Sequence, residues 1–173
     1  MKKVKLQGLE YMIPESWGDV TVKQFQDLSL HVDIEYKTER LKGLVILSVL
    51  IGCDLETLKA ITMAEYEELL SVVAFSNEML KKTYTKKFIV KGVEYKTYDN
   101  LKLMSMGNMI DLETIIATSK PNELLGNMLP ILIRRFDKDG YAIDYDVRKY
   151  GEIKELFLNN LMITDVFHLF DFF

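Results

Sequence analysis

The side chains in this sequence whose types could hold a metal, act as a nucleophile or move a proton are few: His31, His168, Cys53, and a run of carboxylates at Asp137, Asp139, Asp144 and Asp146. A zinc site needs about four thiolate or imidazole ligands, and one cysteine with two histidines cannot supply a Cys/His set. Cys53 has no partner for an internal disulfide, which points to a reducing compartment. Both histidines stand among apolar residues at helical spacing, His168 within Val166-Phe167-His168-Leu169-Phe170, and read as packed or surface residues. The aspartates invite a calcium reading, because hard cations want clustered carboxylates. Placing Gly140 at the sixth, turn position of an EF-hand loop puts Arg135 at the first ligand position and Asp146 at the twelfth, and an arginine cannot ligate. An Asp-Gly turn in solvent is the reading that remains. No Gly-x-Ser-x-Gly, phosphate loop or His-Glu-x-x-His occurs, so the sequence assigns no catalytic, cofactor-binding or metal-ligating residue, and no enzyme is expected.

Binding chemistry is better represented. Lys81, Lys82, Lys86 and Lys87 form a local basic cluster, but the chain carries 22 basic against 26 acidic residues for a net charge of −4, and no aromatics for base stacking are interleaved. A solvated linker is therefore expected in place of a nucleic-acid site. The aromatic residues say more. Phe167, Phe170, Phe172 and Phe173 crowd the last seven positions, and in water they would strand a large apolar area. They either cap the chain's own core or dock on another chain. Trp17, after Pro14-Glu15-Ser16, has the same two readings: an anchor between local elements, or a ring presented to a partner. These five aromatics are the candidate partner-binding residues.

The elements that must position them come in two sets. Lys2-Lys3-Val4-Lys5-Leu6-Gln7-Gly8-Leu9-Glu10-Tyr11 reappears as Lys86-Lys87-Phe88-Ile89-Val90-Lys91-Gly92-Val93-Glu94-Tyr95, with Gly8 and Gly92 standing 84 positions apart. The same offset aligns Thr21–Leu28 with Ser105–Leu112, and pairs Leu41 with Leu125, Tyr66 with Tyr150 and Glu68 with Glu152. Constant register over separate blocks indicates a tandem duplication. The chain of 173 residues then divides into a first copy, 1–84, and a second copy, 85–173, that ends in the aromatic tail. In each copy two apolar, β-favouring runs flank an X-Gly pair, which predicts a two-residue hairpin. A helix start follows at Thr21 with Gln24, a capping box, and at Ser105. The fold class expected is α+β, mainly α-helical, built of two tandem modules that each open with a β-hairpin followed by helices.

Further elements are predicted from caps and periodicity. Copy one should hold helices from about Thr38 to Ile51, over Asp54–Ala60, and from the capping box Thr62/Glu65 through about Lys82. In copy two the counterpart helix, Asn122–Ile133, contains Pro130, which should kink it or end its first half. Asp137–Gly140, between Ile133–Phe136 and Tyr141–Tyr145, should form a hairpin or irregular turn, and Asp146 should cap a helix bearing Tyr150, Ile153, Leu156 and Phe157. The start of the chain reaches a Gly and a Glu before any apolar signal region, so no secretory signal is expected. The longest apolar run, Leu44–Cys53, is about half the roughly 20 residues that span a bilayer, and predicts a buried helix and no membrane span.

The segments Gly8–Trp17 and Val20–Phe25, with Met109-Ile110-Asp111-Leu112-Glu113 and Leu129-Pro130-Ile131-Leu132-Ile133-Arg134, resemble small proteins of tailed bacteriophages, the crAss-like and related phages of the Bacteroides group. That resemblance covers most of the chain and rests on structural motifs. It implies a non-enzymatic virion-associated structural or cargo protein of the portal and tail region, or alternatively a tail-assembly chaperone absent from the mature particle. Partners would be other phage structural proteins, portal, tail-barrel or tail components, and copies of the chain itself. The locations implied are the virion, and the host cytoplasm during assembly.

Overall fold

A computed structural model of the chain describes every residue except Asp33, Lys82, Asp99, Asp144, Tyr145, Asp146 and Phe173, and of Asp171 and Phe172 the backbone alone. It is α+β and mainly helical, with two small antiparallel sheets. Two compact units form, one from Met1–Val20 and Gln24–Lys81, the other from Thr21–Lys23 and Lys82–Phe173.

The first unit opens with a hairpin of β1 (Lys2–Leu6) and β2 (Leu9–Ile13), registered so that Leu6 faces Leu9. Only two residues connect the strands, and both, Gln7 and Gly8, take positive φ of 52° and 84°. That conformation matches the right-handed twist of the strands, and glycine reaches it without steric cost. The second unit repeats the device. β3 (Lys87–Val90) and β4 (Val93–Thr97) are joined by Lys91 and Gly92 at φ 48° and 78°. Each hairpin is followed by a short 3-10 turn, Trp17–Asp19 and Leu101–Leu103, and then by a helix: α1 (Val22–Ser29) in the first repeat, α5 (Met106–Thr118) in the second. The turn residues, the second strands, the 3-10 turns and the first residues of α1 and α5 all keep the offset of 84.

The first repeat continues through α2 (Glu39–Ile51), α3 (Leu55–Lys59) and α4 (Met63–Val72). Their boundaries follow from caps. Thr38 accepts the Leu41 N–H at 3.1 Å, Asp54 accepts the Thr57 N–H at 2.8 Å, and Thr62 and Glu65 form a complete capping box. α2 stops where Gly52 turns left-handed at φ 70°. α4 is shorter than the sequence suggests: it ends at Val72 and passes into a 3-10 turn, Val73–Asn77, well before Lys82. Two consecutive β-branched valines carry little helix preference here, and Phe75 and the Glu78 carbonyl are drawn to Trp17. The core of this unit centres on Ile13, Leu47, Leu50 and Leu58, all fully buried.

In the second repeat α5 is capped by Ser105, which accepts the Asn108 N–H. α6 (Leu124–Leu132) carries Pro130 inside it and ends two residues later. The chain then extends as β5 (Ile133–Arg134), which pairs with β4 and makes the second sheet three-stranded. The sequence suggests a hairpin or irregular turn between Ile133–Phe136 and Tyr141–Tyr145, and hairpin pairing forms there: the Asp137 N–H donates to the Tyr141 carbonyl, the Ile143 N–H donates to the Arg135 carbonyl, and Phe136 bridges Ala142. The pairing of Ile133–Arg134 with β4 was not expected. The Asp137–Gly140 turn forms as expected, with the Asp139 and Tyr141 N–H groups both donating to the Asp137 carboxylate. After a 3-10 turn, Val147–Lys149, come α7 (Tyr150–Asn160) and α8 (Ile163–Val166), the latter running into a 3-10 stretch, Phe167–Phe172. The cap expected of Asp146 lies outside the described residues. Leu112, Met128, Ile131, Phe157, Ile163 and Leu169 form this unit's core. No described helix is long and apolar enough to cross a membrane.

Candidate functional site

The side chains available for recognition fall into a recess in the first unit, a buried polar tie in each unit, and the aromatic tail. In the first unit the 3-10 turn after the hairpin delivers Trp17, whose ring meets Phe25 and Phe75 edge-on at 5.9 and 5.4 Å. Its indole N–H donates to the Glu78 carbonyl at 3.0 Å, so the ring is half-buried and fixed at both ends. Trp17 thus anchors local elements and also walls a recess of about 290 Å³, with Phe25, Leu28, Val32, Ile46 and His31 among its lining. His31 is tied to Tyr36 by a 2.6 Å bond between Nδ1 and the phenol oxygen. Ser29, Lys42, Ser76 and Asn77 line it as well, so the recess joins an apolar wall to a polar one.

The polar ties are a feature the sequence reading missed. Gln24, on the first turn of α1, donates its amide N–H to the Leu50 carbonyl at 2.8 Å. Asn108, at the matching position of α5, accepts from the Arg134 guanidinium at 3.1 Å. Leu50 and Arg134 are again 84 positions apart, so one structural link is made with two chemistries. Arg134 is only 3% exposed, and Asn108 is also in contact with the Tyr98 hydroxyl at 3.5 Å. The tyrosines behave alike too. The Tyr66 hydroxyl donates to the Arg40 carbonyl and that of Tyr150 to the Asn127 carbonyl, and burial pushes both phenols above their ordinary pKa of 10.0. The signal that could have found these ties was the offset itself, extended from apolar matches to polar ones.

The tail is partly described. Phe167 and Phe170 are half-buried and meet edge-on at 5.4 Å, beside Leu169, which is fully buried. His168 is buried with its ring 5.4 Å from that of Tyr84. The side chains of Phe172 and Phe173 lie outside the described residues. Trp17 belongs to the first unit and the tail phenylalanines to the second. Cys53 is buried as a free thiol, and no group of three potential metal ligands occurs among the described residues. Lys81, Lys86 and Lys87 are exposed. No family model, no curated protein and no solved structure matches the chain.

Proposed function

We propose that this chain is a non-enzymatic protein of a tailed-bacteriophage particle, a virion-associated structural or cargo component of the portal and tail region that works through protein contacts. The observation that carries the contact reading is the amount of large apolar side chain left in water on both units: Met79 is 90% exposed, Ile89 78%, Met106 74% and Leu103 70%. Such side chains lose free energy in solvent and regain it on docking, at about 25 cal/mol per Å² buried. The phage setting rests on the resemblance in Gly8–Phe25, Met109–Glu113 and Leu129–Arg134. Partners on this reading are portal, tail-barrel or tail proteins, reached in the host cytoplasm and retained in the virion.

The Trp17 recess favours a second reading, a tail-assembly chaperone that holds an apolar segment of a tail protein and leaves before the particle is complete. Mass spectrometry of purified virions separates the two. Presence at a fixed copy number supports the structural role, and absence from mature particles with capture in assembly intermediates supports the chaperone.

A further inference from the structure

Three surfaces are candidates for a second activity: the Trp17 recess, the His31–Tyr36 pair, and the exposed apolar residues around the start of α5. Nothing in the structure says what fills the recess, and the His31–Tyr36 bond is complete in itself. The third is different, because the repeat shows what covers its counterpart.

Met106, the first residue of α5, is 74% exposed, Ile110 one turn along the same helix is 55% exposed, and Leu103 at the end of the preceding 3-10 turn is 70% exposed, which together leave an apolar stripe at the start of α5. The counterpart of Met106 in the first repeat, Val22, is fully buried. The reason lies in the second unit, to which Thr21–Lys23 belongs: Thr21 forms a β-bridge with Met162, and the Val22 N–H donates to the Leu161 carbonyl at 3.0 Å. Next to that bridge Ile163 is fully buried. The first repeat holds the same acceptor segment. Asn77, Glu78 and Met79 match Leu161, Met162 and Ile163, yet Met79 is 90% exposed where Ile163 is 0%. The chain therefore carries one joined pair of surfaces and one unjoined half of each kind. Charge fits as well, since exposed Lys102 adjoins the α5 stripe and exposed Glu78 adjoins Met79.

We propose that copies of this chain associate head to tail, the Leu103/Met106/Ile110 stripe of one copy seating on Asn77–Met79 of the next, with Met106 in the place that Val22 takes beside Leu161 and Met162. The occupant is a second copy because it alone brings the surface whose repeat partner already makes this contact. The interface is heterologous, so it propagates until a ring closes or a filament grows. The inference rests on the repeat and stands or falls separately from the phage reading.

Sedimentation of the full chain over a range of concentrations tests it. The wild-type protein should shift to larger species as concentration rises. Met79→Asp and Met106→Asp should each sediment as monomers, and at dilutions where the wild type is also monomeric their circular dichroism melts should match its own because both residues are exposed. Mixing the two variants should restore dimers and nothing larger, since one intact stripe then meets one intact acceptor. A wild-type monomer at every concentration overturns the proposal. So does self-association surviving in Met79→Asp, which would mean that the stripe pairs with itself.

Discussion

The two repeats differ most where α2 and α6 end. α2 runs 13 residues to a left-handed glycine, and its last turn puts Leu50 into hydrocarbon while the Leu50 carbonyl takes the Gln24 amide. α6 loses one backbone donor at Pro130, stops at Leu132, and gives its next two residues to the sheet. That change of path carries a buried guanidinium, Arg134, where the first repeat has a leucine, and a buried charge needs hydrogen-bond partners. Asn108 meets the need by presenting its carbonyl where Gln24 presents its N–H. The two repeats thus hold a tie at the same position with different chemistry at both of its ends.

The largest break in this comparison should come at positions 73 and 157, which also correspond. Phe157 is fully buried and meets Tyr95 edge-on at 5.1 Å, whereas Val73 fills the same place with fewer atoms. Phe157→Ala should cost about 3–5 kcal/mol, and Val73→Ala about 2 kcal/mol. Urea unfolding of the full chain reads both. Equal losses would mean that the second core does not depend on its larger side chain.

The polar ties come next. Asn108→Ala removes a neutral partner from a buried charge and should cost about 1.5–3 kcal/mol, against about 0.5–1.5 kcal/mol for Gln24→Ala, which leaves a backbone carbonyl. Converting the second repeat to the hydrocarbon solution, Asn108→Leu with Arg134→Leu, should recover most of the loss, because an apolar pair has no desolvation to offset. If the double variant is as unstable as Asn108→Ala, the tie is not local.

These ties also mark how far the sequence could be read. The hairpins were legible because a two-residue turn with positive φ leaves an X-Gly signature, and the caps at Thr62 and Ser105 were legible because a cap is satisfied within three residues, while Thr38 and Asp54 were legible as helix starts. The pairing of β5 with β4 was not, since an extended Ile133–Phe136 beside an Asp-Gly turn marks a local hairpin while β4, distant in sequence, leaves no sign of itself there. The early end of α4 depends on Trp17, some sixty residues before it, for the same kind of reason. In the candidate site, the ring contacts of Trp17 and the burial of Arg134 are tertiary facts with no local mark. The pairing of Thr21 with Met162 and of Val22 with Leu161 is another, and it was the repeat register, not any motif, that gave it meaning.

A smaller effect is expected at Gly43, which matches Asn127. A methyl group on Gly43 would overlap the Tyr66 hydroxyl, while the second repeat accommodates a whole asparagine whose amide reaches Ser119 at 2.9 Å. Gly43→Ala should be destabilising by about 1–2 kcal/mol, the crowding exceeding the gain in helix propensity. Adding Tyr66→Phe removes the overlapping oxygen, so the double variant should be more stable than Gly43→Ala alone, and a double-mutant cycle measures that coupling.

The smallest expected difference concerns acid. In the first unit the Thr62 N–H and hydroxyl both hold the Glu65 carboxylate, in that order of effect, and lower its pKa below the ordinary 4.5. A group whose folded pKa is depressed adds stability that is fully present above its unfolded pKa and is lost as pH falls through the folded value. Wild type should therefore exceed Glu65→Gln in urea midpoint by a constant amount above about pH 5.5. That gap should close as pH drops below 4.5. Taking the difference between the two proteins cancels the titration of every other carboxylate, so a gap that stays open in acid would show that the cap holds through its hydrogen bonds and owes nothing to its charge.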